Sequence, residues 1–128
     1  MGCTILIVDD SATTRGMIKK IIRMSGLEVD SVLEAAHGRA ALELLAAQPV
    51  QLILADLHMP EMTGVELTQR VLAAPATRDV PVVIISAEPN AERIAQLREQ
   101  GIRGYLRKPF TPEQLRNVVQ DVLQVAHA

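Results

Sequence analysis

The sequence predicts an α/β protein built on a doubly wound parallel sheet, and three observations predict it. Short β-prone runs recur at Thr4 to Val8, Val29 to Leu33, Leu52 to Ala55, Val82 to Ile85 and Gly104 to Arg107. The segments between them carry apolar residues at helical spacing, as in Met17, Ile18, Ile21 and Ile22. The middle runs are apolar throughout rather than alternating, the pattern of strands covered by helices on both faces. Right-handed crossovers leave few topologies for such a (βα)5 chain. The flavodoxin-like order 2-1-3-4-5 follows, because the less continuous second run, with Asp30 and Ser31 in it, and the short fifth run suit sheet edges.

Local punctuation supports each element in turn. Gly26 closes the first helix by supplying a left-handed residue, and Pro49 follows the second. Thr63-Gly64-Val65-Glu66 has the spacing of a capping box opening the third helix. Thr111-Pro112-Glu113-Gln114 repeats that logic for the last, with proline at the first helical position. Leu115, Val118, Val119, Val122 and Leu123 then form one apolar stripe.

With 128 residues, the chain is expected to be one domain over 1–128 with no separate output domain. Apolar residues at 48% and charged residues at 22% provide for a sizeable core and argue against a disordered tail. Phe110 and Tyr105 are the only aromatics and the net charge is -2, so neither base stacking nor phosphate neutralisation is favoured, and nucleic acid is not an expected partner. Cys3 has no partner for an internal disulfide and forms no metal-ligand spacing with His37, His58 or His127. The opening Met1-Gly2-Cys3-Thr4-Ile5-Leu6-Ile7-Val8 has no basic flank and ends at Asp9-Asp10, too short for a signal peptide or a membrane span. These features predict a cytoplasmic protein with no membrane partner.

In parallel sheets of this order, ligands bind outside the carboxyl ends of the strands near the switch point between strands 1 and 3. Those ends deliver Asp9 and Asp10, then Asp56, Ser86 and Lys108. Taken singly each has a plain structural explanation: Asp10 or Ser11 as a helix cap, and Asp56 as a turn-former before a proline-containing loop. Their convergence from four chain segments on one edge points to chemistry. Three clustered carboxylates repel unless a cation neutralises them, and hard oxygen donors in a small open site suit Mg2+ with a phosphate ligand. An aspartate can act as nucleophile toward phosphorus while a lysine and a hydroxyl hold the phosphoryl oxygens. Asp56 is the central candidate.

The ordered set Ile5-Leu6-Ile7-Val8-Asp9-Asp10, Asp56-Leu57-His58-Met59-Pro60 followed by Gly64, Ser86-Ala87, and Gly104-Tyr105-Leu106-Arg107-Lys108-Pro109-Phe110 resembles response-regulator receiver domains of two-component phosphorelay signalling. The resemblance covers nearly the whole chain and is similar to the stand-alone, chemotaxis-like members. It implies that Asp56 accepts phosphate from a sensor histidine kinase or histidine phosphotransfer protein. It further implies that Asp10 and Asp56 bind Mg2+, with Asp9 assisting and His58 giving its backbone carbonyl. Ser86 and Tyr105 would form the family's switch, the hydroxyl moving toward the phosphoryl group while the edge-strand aromatic turns inward. A cis Lys108-Pro109 bond is common in the family.

Arg15, Lys19, Lys20 and Arg23 form a basic stripe on the first helix, with no acidic residue between Ser11 and Leu27. As residues they read as a solvated face; the resemblance makes that helix the docking surface for a histidine-bearing helical bundle. It likewise makes helix 4, strand 5 and helix 5 the output face, including Ile94 and Tyr105. Ala91 and Val118 stand where close chemotaxis relatives commonly carry lysine, which argues against a flagellar-switch target.

Two alternatives compete. An aspartate-nucleophile Mg2+-dependent phosphatase expects Asp-x-Asp, and Asp56-Leu57-His58 lacks the second acid. A phosphorylation-independent interaction module leaves the acidic, hydroxyl and lysine set without a use. The expectation is therefore a phosphoacceptor and not a turnover enzyme.

Overall fold

The computed structural model describes residues 3–126, with side chains described through Leu123; Met1, Gly2, His127 and Ala128 lie outside the described residues. Five strands, β1 (Thr4–Val8), β2 (Ser31–Ala35), β3 (Leu52–Asp56), β4 (Val82–Ser86) and β5 (Gly104–Arg107), alternate with five helices. The helices are α1 (Ala12–Met24), α2 (Gly38–Ala47), α3 (Gly64–Ala73), α4 (Ala91–Glu99) and α5 (Pro112–Ala126). All four pairings are parallel, in the order β2-β1-β3-β4-β5.

Successive side chains of a strand point to opposite faces, so the continuous apolar runs feed two cores. Leu6, Val8, Ile53, Ala55 and Ile84 meet Ala41 of α2, Leu67 and Val71 of α3 and Leu97 of α4. Ile5, Ile7, Leu52, Leu54, Val83 and Ile85 meet Ile18 and Ile22 of α1 and Leu115, Val119 and Val122 of α5. Each fully buried side chain of this size contributes about 1.5–3 kcal/mol relative to exposure. The three central strands thus anchor the rim from which the candidate residues project.

Capping follows the chemistry of the sequence. Ser11 Oγ accepts the Thr14 amide at 3.2 Å, so Ser11 rather than Asp10 caps α1. Gly26 takes φ +80 just beyond Ser25 and ends that helix. Thr63 and Glu66 form the reciprocal capping box of α3. Thr111 and Gln114 exchange equivalent bonds at 2.9 and 3.1 Å ahead of α5.

Three boundaries or faces differ from the sequence expectation. Strand β2 lies two residues later than Val29 to Leu33, because the amides of Asp30 and Ser31 both turn to the Cys3 carbonyl and the ladder starts only at Thr4↔Ser31. An edge strand tolerates an exposed Glu34 in its run. Asp56 and Ser86 are the last residues of their strands rather than the first residues after them. Met17 is 51% exposed instead of facing the core, since the buried stripe of α1 runs through Ile18 and Ile22.

Candidate functional site

The carboxyl edge of the sheet gathers Asp9, Asp10 and Asp56. One carboxylate oxygen from each lies within 4.8 Å of the other two. Burial differs sharply along the set: Asp9 is buried, Asp56 half-buried and Asp10 exposed. Asp9 is tied on every side. Its amide donates to the Ala35 carbonyl at 3.1 Å, its Oδ1 accepts the Ser11 amide at 2.8 Å, and its carbonyl accepts Arg15 Nη1 at 2.6 Å.

Lys108 Nζ stands 3.9 Å from Asp9 Oδ2 and 3.9 Å from Asp56 Oδ1, so a single ammonium faces two carboxylates. Its backbone amide donates to the Ser86 carbonyl at 2.8 Å, and the following Lys108-Pro109 bond is cis. Burial raises the pKa of Asp56, and the neighbouring Asp9 pushes the same way. The Lys108 ammonium and the amides of His58 and Leu57 pull it down without cancelling the rise. Three acids against one cation leave the site short of positive charge.

The donors present fit a magnesium ion. All three side chains offer hard oxygen atoms, they are close enough to share one ion, and the exposed Asp10 leaves the site open to water and a phosphate. Burial, and then Asp9, disfavours the charged form of Asp56, a cost that a cation beside the carboxylate would offset.

On the other side of Asp56, the Ser86 hydroxyl is buried and accepts the Glu88 amide at 3.2 Å. Tyr105 lies half-buried against the core on the α2–α4 side of the sheet. Its hydroxyl donates to the Glu88 carbonyl at 2.8 Å, with the Ser86 carbonyl at 3.2 Å. The Tyr105 ring is thus turned inward and pinned to the loop that follows Ser86. His58 is exposed two residues beyond Asp56, and its amide points at the Asp56 carboxylate.

Comparison with known proteins decides the family. The family description "Response regulator receiver domain" matches residues 5–120. The chain belongs to the response-regulator receiver family. A chemotaxis protein CheY homolog of Campylobacter jejuni is 38% identical over 120 residues, covering 93% of this chain and 91% of the relative. The two-component response regulator ORR5 of Oryza sativa is 39% identical over 121 residues, covering 94% of this chain and 88% of the relative. Among solved structures, CheY4 of Vibrio cholerae superposes with a TM-score of 0.83 at 32% identity, covering 95% of this chain and 99% of that one. The signal receiver domain of a Syntrophus aciditrophicus histidine kinase gives 0.82 at 27% identity, covering 97% and 92%. This receiver domain is therefore of the CheY-like kind, with a cluster of acidic residues capable of holding a metal.

Two contributors to the receiver site were not distinguished in the sequence. Arg15 reads there as part of a basic helix face, yet it reaches the Asp9 carbonyl and, through Nε, Glu34 at 3.1 Å. Gly64 reads there only as a motif position; a Cβ on it would stand 2.5 Å from the Asp56 carbonyl oxygen. Both act through backbone atoms, which leave little trace in residue type. Among the described residues, no helix is long and apolar enough to cross a membrane.

Proposed function

We propose that this receiver domain is a phosphorylation switch in which Asp56 takes a phosphoryl group from a sensor histidine kinase or a histidine phosphotransfer protein. The observation that carries the reading is the placement of Asp56 at the end of central strand β3, with Lys108 Nζ 3.9 Å from its Oδ1 and Asp9 and Asp10 beside it. An Asp56 oxygen attacks phosphorus, the phosphorus–nitrogen bond breaks, and the imidazole leaves with the bonding pair and takes a proton from water. Asp9, Asp10, Asp56 and the His58 backbone carbonyl would hold Mg2+, which when bound would neutralise charge on the transferring phosphoryl oxygens.

Lys108 neutralises one phosphoryl oxygen by a charge-assisted bond, and its amide on Ser86 couples that contact to β4 and β5. The Ser86 hydroxyl turns from the Glu88 amide toward the phosphoryl group. Because Tyr105 is bonded to the carbonyls of Ser86 and Glu88, the ring registers that movement at the α4–β5–α5 face. A downstream protein then reads the state by docking there. In this reading the chain works as a single cytoplasmic receiver domain, a phosphoacceptor with slow self-dephosphorylation rather than a turnover enzyme, with neither nucleic acid nor membrane as partner.

Intact-mass measurement after exposure to a phosphodonor with Mg2+ tests the assignment. Wild type gains one phosphoryl mass, Asp56→Asn gains none, and beryllofluoride with Mg2+ mimics the product only in wild type. Undiminished labelling of Asp56→Asn rejects the reading.

A further inference from the structure

Asp10 is the exposed member of the acidic set, and its carboxylate engages no side chain among the described residues. Its position therefore rests on the backbone on either side of it. The Ser11 side is fixed by the α1 cap and by the Ser11 amide on Asp9 Oδ1. The Asp9 side is fixed by two residues of edge strand β2 acting together. The Ala35 carbonyl takes the Asp9 amide, and Glu34 Oε1 orients Arg15, whose Nη1 grips the Asp9 carbonyl at 2.6 Å.

We propose that Arg15, aimed by Glu34, is a positioning residue for the metal site: it fixes the Asp9–Asp10 peptide so that the Asp10 carboxylate stays within reach of Asp9 and Asp56. The inference rests on the Mg2+ reading of the acidic cluster given above. Three features separate this from an ordinary surface ion pair. The Arg15 side chain is only 16% exposed. Its planar fork serves two different acceptors at once, one of them a backbone carbonyl next to the acidic cluster. Lys19 Nζ holds the second Glu34 oxygen at 3.1 Å, so Glu34 is itself fixed from two sides and its pKa is lowered by both cations.

The charge on Arg15 and its grip on the carbonyl have opposite effects on Mg2+. A cation beside the site repels a second cation, so removing it tightens binding if charge is all that matters. Losing the grip lets the Asp9–Asp10 peptide rotate and weakens binding. Arg15→Lys keeps the charge and loses the two-acceptor fork; Arg15→Gln loses both.

The experiment is a Mg2+ titration of wild type, Arg15→Lys, Arg15→Gln and Ile22→Val, followed by amide NMR shifts. Exchange of the Ser11 amide is measured alongside in the metal-free proteins. Ile22→Val loosens the buried face of α1 without touching the grip. The expected result is Mg2+ affinity lowered about tenfold in both Arg15 variants, in line with losses seen when groups that orient metal ligands are removed. Faster Ser11 exchange should accompany it, with affinity unchanged in Ile22→Val. Arg15→Lys at wild-type affinity and Arg15→Gln tighter would show a purely electrostatic role and overturn the proposal. Equal weakening in Ile22→Val would reduce Arg15 to general stability and also overturn it. A wild type that fails to bind Mg2+ would mark failure of the site reading itself, and the proposal would fall with it.

Discussion

Gly64→Ala is a one-carbon change whose cost the geometry fixes closely. Gly64 opens α3, donates its amide to the Leu57 carbonyl at 3.0 Å, and has no left-handed backbone that an alanine would strain. The obstacle is space. An added Cβ would lie 2.5 Å from the Asp56 carbonyl oxygen, 2.7 Å from Ile84 Cδ1 and 3.2 Å from Leu57 Cα. Carbon–oxygen contacts normally sit at about 3.3 Å or more, so roughly 0.8 Å must be found. Ile84 can give at its tip, but the Asp56 carbonyl belongs to a central strand paired on both sides. Overpacking of this kind costs up to about 3 kcal/mol, and the better helix propensity of alanine returns about 1 kcal/mol. The net loss is about 2 kcal/mol, or about 6–10 °C in Tm for a domain of this size.

Gly104→Ala is the matched control. Its Cβ would meet Val122 Cγ2 at 3.0 Å and Val118 Cγ1 and Val83 Cγ2 at 3.2 Å, all of them side-chain tips. That substitution should cost less than about 1 kcal/mol, since volume alone is adjusted and no backbone is displaced. Urea unfolding of both variants reads the difference. Gly64→Ala should also weaken Mg2+ binding, because the displaced Asp56 carbonyl carries the Leu57 and His58 amides away from the carboxylate. A Gly64→Ala loss below about 0.5 kcal/mol, or equal losses at the two glycines, would refute the reasoning that a backbone neighbour decides the cost.

Three further outcomes are expected. Because burial and Asp9 raise the Asp56 pKa, stability contributed by its protonated form is full below the ordinary carboxylate range and is lost as pH rises through the raised value. Asp56→Asn should therefore stabilise the metal-free protein at neutral pH by a margin that shrinks in acid; urea midpoints showing no gain at neutral pH would contradict this. Lys108→Ala should still accept beryllofluoride but lose the chemical-shift response at Tyr105 and α4, and wild-type shifts there would defeat its coupling role. His58 and Glu88 lie two residues beyond Asp56 and Ser86, and we expect their side chains to reach a water attacking the aspartyl-phosphate, where a polar group orients or obstructs it. Glu88 Oε1 accepts the Asn90 amide at 3.1 Å, so His58→Ala should change the decay rate more than Glu88→Ala. Decay constants within about twofold of wild type for both single variants and the double variant would leave these side chains without that role.

The fold was legible because parallel central strands write burial on both faces as unbroken apolar runs, and because Gly26, Thr63 and Thr111 mark helix ends with side-chain or backbone chemistry that has few other uses. Edge strand β2 was misplaced by two residues for the converse reason: with one side open, Glu34 costs nothing in the strand and the hydrophobic pattern stops specifying register. The carboxyl-edge residues were legible as a set, since the topology alone carries Asp9, Asp10, Asp56 and Lys108 to one rim. Their mutual distances were not legible, nor was the inward Tyr105, because a half-buried edge aromatic satisfies the pattern in either orientation.

The misplaced edge is also where the site acquires its support. Extending β2 to Ala35 brings that carbonyl to the Asp9 amide, and the same extension places Glu34 where it meets Arg15 and Lys19 of α1. A strand ending at Leu33, as the sequence suggested, would leave both the Asp9 amide and the Arg15 fork without these partners. Glu34 thus pairs with two of the four cations of the basic stripe on α1, Arg15 and Lys19, leaving Lys20 and Arg23 as the exposed cations there. A partner that docks on α1 through charge would meet those two first, and Arg15 would remain committed to the peptide that carries Asp10.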